Sequence, residues 1–287
     1  MKRRKSLKIG YETSSEVEVT AKVNSVSQKP KKALKNAKLK QHLTDDSFVG
    51  CEASEKVNSM YKQHLKNIEE MRASNDAPVD RVGCHQLADK KSEPNVYRFQ
   101  VLVALMLSSQ TKDQVTADAM QRLRNHGCNV ENICQTSEET LRALITPVGF
   151  YKRKAIYLRK TAAILRDEYD GDIPDSVDAL CKLPGVGPKM AHLTMQVAWD
   201  RIEGIGVDTH VHRIANRLAW VSTKTPEDTR VALEAFLPRD RWKTVNKLLV
   251  GFGQQICLPI GPKCMSCLNK DICSFAKRTS KKKHTKC

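Results

Sequence analysis

Leu183-Pro-Gly-Val-Gly-Pro-Lys-Met-Ala191 is the stretch on which the fold reading turns. A helical segment meets a tight Gly-x-Gly turn, and a new helix starts at Pro188, whose missing N–H costs nothing in a first turn. Gly185 and Gly187 allow positive φ and carry no side chains to hold a phosphate away. N–H groups at the following helix start can then grip that phosphate, with the helix dipole helping. The plainer reading of the same residues is a Gly-rich turn between two core helices.

Outward from this turn the chain reads as nearly all-α. From Pro94 onward, apolar clusters recur at spacings of three and four, separated by short polar breaks. The spacing predicts helices near Tyr97 to Leu107, Thr111 to His126, Ser137 to Leu144, Lys152 to Tyr169, Ser176 to Lys182, Pro188 to Trp199, Thr209 to Trp220, Pro226 to Phe236 and Trp242 to Ile256. Thr111 followed by Gln114 fits a capping box. Residues 1–66 show no sustained period and are read as a disordered basic extension, with 277–287 as a basic disordered tail.

The 287 residues carry a net charge of +17, most of it at the two ends. Residues 1–66 hold +8, residues 277–287 hold +6, and the 210 residues between hold only +3. Basic tails attract polyanions by releasing condensed counterions, so nucleic acid is the leading partner class, ahead of an acidic lipid surface. No stretch approaches the roughly 20 uninterrupted apolar residues of a membrane span, which excludes a transmembrane protein. Lys2-Arg3-Arg4-Lys5 and Lys29-Pro30-Lys31-Lys32 look like nuclear-import patches. No apolar region follows Met1, so no secretory signal is expected, and Glu12, Glu16 and Glu18 weaken a mitochondrial transit reading.

Of the ten cysteines, those at 51, 84, 128, 134, 181 and 287 are scattered and read as ordinary thiols. Cys257, Cys264, Cys267 and Cys273 instead form C-x6-C-x2-C-x5-C in a segment broken by Pro and Gly, able to wrap four thiolates around one centre. Tetrahedral zinc and a [4Fe-4S] cluster both use four Cys ligands. A zinc module often has two C-x2-C knuckles and this segment has one, which favours iron–sulfur.

Lys189 falls in the first turn of the helix after the glycines. The positive end of the macrodipole disfavours an ammonium there, which favours a nucleophilic amine. About twenty residues later, in Val207-Asp208-Thr209-His210-Val211-His212-Arg213, Asp208 precedes a strongly amphipathic helix. Its ordinary role is an N-cap, and a capping carboxylate is also rigid and ionised, able to promote attack by Lys189 or to steady positive charge on a sugar. His210 and His212 point to different helix faces and are rejected as a metal pair; one is expected to contact DNA and the other to pack.

Taken together, the Leu183–Ala191 hairpin, the Val207–Arg213 segment, Leu107-Ser-Ser-Gln-Thr-Lys-Asp113 and the four-cysteine ending resemble the endonuclease III family of bifunctional DNA glycosylase/AP lyases, across about Asn67 to Phe275. The long basic extension resembles a eukaryotic member, which implies the nucleus, and also the mitochondrion, as locations. The family fold implies two helical lobes with DNA in the cleft between. One is a six-helix lobe over 92–201, with the helix-hairpin-helix at 176–199. The other is a cluster lobe built from 67–91, with a helix near Asn67 to Asp89, and 202–276, with the Cys loop at 257–273. By the same resemblance Lys189 is the nucleophile, Asp208 its essential carboxylate, and the four cysteines ligate [4Fe-4S]. Gln110 enters the gap left by an extruded base, and the substrates are oxidised pyrimidines of the thymine glycol type, or abasic sites, in double-stranded DNA. Candidate backbone contacts are Gly185, Gly187, His210, Lys263 in the Cys loop, and Lys152, Arg153 and Lys154. A monomer is expected. The rival readings are a non-catalytic, zinc-stabilised DNA-binding module, in which Lys189 contacts phosphate and Asp208 only caps, and a glycosylase using water as nucleophile.

Overall fold

The structure, a computed structural model, describes residues 49–278, with side chains from Ser59 onward. Twelve α-helices account for most of it: α1 Val49–Met71, α2 Pro78–Val82, α3 Pro94–Ser108, α4 Asp113–His126, α5 Val130–Gln135, α6 Glu138–Ile145, α7 Tyr151–Glu168, α8 Val177–Lys182, α9 Pro188–Ala198, α10 Thr209–Arg217, α11 Pro226–Phe236 and α12 Arg239–Gln255. Among the described residues there is no strand, and no helix is long and apolar enough to cross a membrane.

Two hydrophobic cores organise these helices. α3 carries an unbroken buried run from Phe99 to Leu107, and a helix apolar all round belongs in the middle of a lobe. Around it pack Met120 and Leu123 of α4, Ile133 of α5, Leu141 and Ile145 of α6, Leu158 and Leu165 of α7, Leu180 of α8 and Met195 of α9. The second core gathers Tyr61, Leu65 and Ile68 of α1 with Val211 and Ile214 of α10, Leu233 of α11, and Val245, Leu249 and Phe252 of α12. Burying each such side chain contributes about 1.5–3 kcal/mol relative to leaving it in water.

Between the cores run polar ties. Gln196 Nε2 of α9 donates to Lys243 O of α12 at 2.8 Å, and Gln254 Nε2 of α12 to Asp113 Oδ2 of α4 at 2.7 Å. These bonds hold α4 and α9 against α12.

Four expectations change. α1 begins at Val49, inside the stretch read as disordered through Lys66, because Tyr61, Leu65 and Ile68 at helical spacing find a core that a polar local sequence does not advertise. The expected helix from Asn67 to Asp89 is broken: α1 ends at Met71, and α2 and a 3-10 turn at Cys84–Gln86 follow, with buried Arg72 pairing Asp80 and donating to Gln255 Oε1 at 2.7 Å. α5 is a seventh helical segment in the lobe expected to have six, too short for its period to show; Asn129 caps it by accepting from Asn132 N. Thr111 does not cap α4. Lys112 holds that position without a side-chain bond, and the Thr111 hydroxyl accepts from Gly149 N at 3.1 Å instead.

Among the scattered cysteines, Cys128 is buried and Cys84, Cys134 and Cys181 are half-buried free thiols. The side chain of Cys51, all of Cys287 and both basic runs near the N-terminus lie outside the described residues.

Candidate active site

The hairpin forms from its own sequence. Ser176 caps α8 by accepting from Ala179 N, α8 closes at Lys182, and Pro188 opens α9 at its first position. Between them Gly185 takes φ +80°, and a Cβ there would lie 2.4 Å from the Tyr157 ring, so this position needs glycine for conformation and space. Gly187 differs from the expectation. It is extended, at φ −111° and ψ 174°, with open space where a Cβ would be. Its use is the clear approach it leaves to the N–H groups of Gly187, Lys189 and Met190, which have no backbone partner among the described residues.

Half-buried Lys189 sits one residue inside α9, and its side chain makes no hydrogen bond or ion pair with any described residue. Asp208 caps α10, its Oδ1 accepting from Val211 N at 2.8 Å; its other oxygen has no hydrogen bond to a described residue. The amphipathicity of α10 comes from Val211, Ile214 and Ala215, which bury one face in the second core and so fix the helix that Asp208 caps.

Two further groups show that these elements converge. Burial, seconded by the Asp208 charge, pushes the Asp113 carboxyl up, while the Gln254 hydrogen bond, His210 and Lys189 pull against it. Burial holds His210 below its ordinary value, with Arg213 and Lys189 acting the same way and Asp208 and Asp113 opposing. Asp113 and His210 therefore each feel both Lys189 and Asp208, which places all four in one electrostatic neighbourhood. Asp113 has no site role in the sequence reading; its only signal there is its place at the end of Leu107–Asp113. His212 packs, its Nδ1 lying 2.6 Å from Thr229 Oγ1.

Gln110 is exposed with φ +51°, at the turn between α3 and α4. Beside it stands a residue the sequence reading missed. Phe150 is 63% exposed with φ +56°, and it lines the same pocket as Gln110, Arg153, Tyr157 and Gly185. Lys152, Arg153 and Lys263 are exposed, but Lys154 is not a phosphate contact. Its amine is buried and donates to Leu107 O at 2.7 Å and Ser109 O at 2.6 Å. Burial pushes that amine down to about 8.

The four cysteines of the C-terminal loop line one cavity, walled by Leu218, Phe252, Ile256 and Phe275. Arg217 fastens the loop, donating to Leu258 O at 2.7 Å, Pro259 O at 2.9 Å and Cys257 Sγ at 3.4 Å while stacking on Phe275. From the other side Asn67 donates to Leu268 O and Asn269 Oδ1. Among the described residues no group of three or more His, Cys, Asp or Glu forms a site for a single metal ion. Four soft thiols around an apolar hollow fit a larger sulfur-ligated group.

Residues 103–239 match the family described as "HhH-GPD superfamily base excision DNA repair protein". Fold and family match together thus define a helical DNA glycosylase of base excision repair. Endonuclease III-like protein 1 of Mus musculus is 61% identical over 218 residues, covering 75% of this chain and 73% of that protein. A solved structure described as "Structure of a non-covalent Endonuclease III-DNA Complex" superposes with TM-score 0.68 at 27% identity, over 78% of this chain and 98% of that one. Another, "Structure of a Trapped Endonuclease III-DNA Covalent Intermediate: Estranged-Adenine Complex", gives 0.67 at 27% identity, over 79% and 98%. The chain belongs to the endonuclease III family.

Proposed function

We propose that this glycosylase removes oxidised pyrimidines of the thymine glycol type from double-stranded DNA and cuts the resulting abasic site through a Schiff base on Lys189. The carrying observation is the placement of Lys189 in the first turn of α9, directly after the hairpin glycines, and of Asp208 as the cap of α10. Lys189 has no partner among the described residues, and Asp208 is fixed by its cap with one oxygen left over. That arrangement suits an amine nucleophile beside a rigid carboxylate.

The N–H groups after Gly187 grip a backbone phosphate, with Gly185 shaping the turn; Lys152, Lys263 and His210 contact the strand nearby. A damaged base stacks weakly, so its extrusion costs only a few kcal/mol. Gln110 fills the vacated space, and exposed Phe150 beside it wedges the stack as apolar side chains do in kinked duplexes. The Lys189 amine attacks C1′, and the C1′–N bond breaks with its electron pair leaving on the base, which takes up a proton. Loss of a proton from the amine and opening of the C1′–O4′ bond, whose electron pair stays on O4′ and takes up a proton, give the imine. Removal of a C2′ proton then expels the 3′-phosphate with the C3′–O electrons, cutting 3′ to the lesion. Asp208 steadies the positive charge that develops at the sugar.

Cys257, Cys264, Cys267 and Cys273 would hold a [4Fe-4S] cluster, which when bound supplies a rigid core for the loop that carries Lys263. The work belongs in the nucleus, with the mitochondrion as a second destination; the basic runs near the N-terminus support the first.

Borohydride trapping on duplex DNA with thymine glycol tests the reading, comparing the native chain with Lys189→Gln and Asp208→Asn. Asn caps a helix about as well as Asp, so Asp208→Asn separates charge from capping. A native adduct that both variants lose is expected. Base release without an adduct would instead indicate water as nucleophile, and binding with neither release nor nicking would indicate a non-catalytic module.

A further inference from the structure

We propose that Lys154 is a positioning residue that fuses the Gln110 turn and the Phe150 turn into a single rigid probe of the duplex. The inference rests on the reading of Gln110 and Phe150 as the groups that enter the stack.

The two turns are far apart in sequence and touch in space. A Cβ on Gly149 would lie 2.3 Å from Gln110 O, so the backbones meet where only a glycine fits. Gln110 and Phe150 are both non-glycine residues in the left-handed region, at φ +51° and +56°. Such residues persist where surrounding bonds over-determine them.

Those bonds converge on one side chain. Lys154 lies one turn into α7, where its own N–H donates to Phe150 O at 3.0 Å. Its ammonium crosses to the other turn and straddles Gln110, donating to Ser109 O at 2.6 Å on one side and Thr111 Oγ1 at 3.3 Å on the other. A third bond, to Leu107 O at 2.7 Å, fastens it to the end of α3. Gly149 N closes the loop by donating to Thr111 Oγ1. Lys154 is 6% exposed, and no carboxylate among the described residues pairs with it. An ammonium buried without a counter-ion is a costly way to cap one helix. Its reach to both sides of Gln110, while its backbone holds Phe150, is what a plain cap would not need.

The test uses the full cluster-loaded chain carrying Lys154→Met, with Thr111→Val as a milder cut through the same bridge. Single-turnover excision of thymine glycol is measured in a paired duplex and in an unpaired bulge, where no stack has to be opened. Lys154→Met is expected to slow excision from the duplex roughly 10- to 100-fold, the scale of a small misplacement of a working group. Excision from the bulge should change less than about threefold, and Thr111→Val should show the same selectivity more weakly. On a Gln110→Ala/Phe150→Ala background, Lys154→Met should add almost nothing, because it acts through those two residues. Equal losses on duplex and bulge, or a loss that multiplies with the double variant, would overturn the positioning role. If the double variant itself excises from duplex at the native rate, the probe reading falls and takes this inference with it.

Discussion

Asp113 Oδ2 accepts a 2.7 Å hydrogen bond from Gln254 Nε2, tying the first turn of α4 to the end of α12. Gln254 reaches further, its Oε1 accepting from Val79 N of α2 at 3.0 Å, so one amide joins three helices. It is also among the groups that restrain the upward push of burial on Asp113. Replacing Gln254 with Leu removes that restraint, and the Asp113 carboxyl moves further up. The acidic limb of the kcat/KM profile should shift to higher pH, with a stability loss of about 1 kcal/mol from the broken bonds. An unmoved limb would show that the ionisation of Asp113 is not linked to the reaction.

His192 on α9 is 7% exposed, and its Nδ1 has no hydrogen-bond partner among the described residues. Burial holds it below its ordinary value, aided by Arg230 and opposed by Glu234, Glu227 and Glu203. Below about pH 6.5 the unfolded chain therefore takes up a proton that the native chain resists. Stability should fall as pH drops through that window, by at most about 1.4 kcal/mol per pH unit for this one group. Urea unfolding at pH 7.5 and 5.5 should show a smaller difference in His192→Asn than in the native chain; an identical difference would remove His192 as a source.

The two hairpin glycines should separate in mutation. Gly185→Ala meets both a positive φ and the Tyr157 ring, so thermal unfolding should show a loss of at least about 1 kcal/mol. Gly187→Ala, extended and in open space, should leave unfolding nearly unchanged yet weaken binding to undamaged duplex across sequences. Equal affinity for native and Gly187→Ala in a salt titration would argue against a phosphate at that turn.

Arg217→Met should loosen the cysteine loop. The change deletes the bonds to Leu258 O, Pro259 O and Cys257 Sγ, of which charged ones contribute about 1.5–3 kcal/mol each. Iron and sulfide per chain should fall, and the remaining metal should be lost faster to a chelator. Because α10 runs from the Asp208 cap to Arg217, excision should fall in step with iron. Full iron content in the variant would remove the clamp from the account.

The helices legible in the sequence are those whose reason is local. α6 and α8 start directly after the caps Ser137 and Ser176, and α9 and α11 open at Pro188 and Pro226, close to where they are read, since capping hydroxyls and first-turn prolines act within a few residues. Asp208 as a cap was readable on the same ground. The part of α1 up to Lys66 was not, because Tyr61 and Leu65 in a polar stretch gain nothing until α10, α11 and α12 are there to receive them. Lys154 was misread for a related reason: a lysine in a basic run suggests solvent, and only the carbonyls of a distant turn draw it inside.

The sequence by itself determined the hairpin, the capping aspartate and the spacing of the four cysteines. Each is a matter of backbone chemistry over a handful of residues, and each carries its family resemblance with it. Tertiary structure alone decided that Asp113 joins Lys189 and Asp208, that Phe150 stands beside Gln110, and that Lys154 faces inward. Those relationships depend on which acceptors and which apolar faces arrive from segments dozens of residues away, and composition and periodicity carry no record of them.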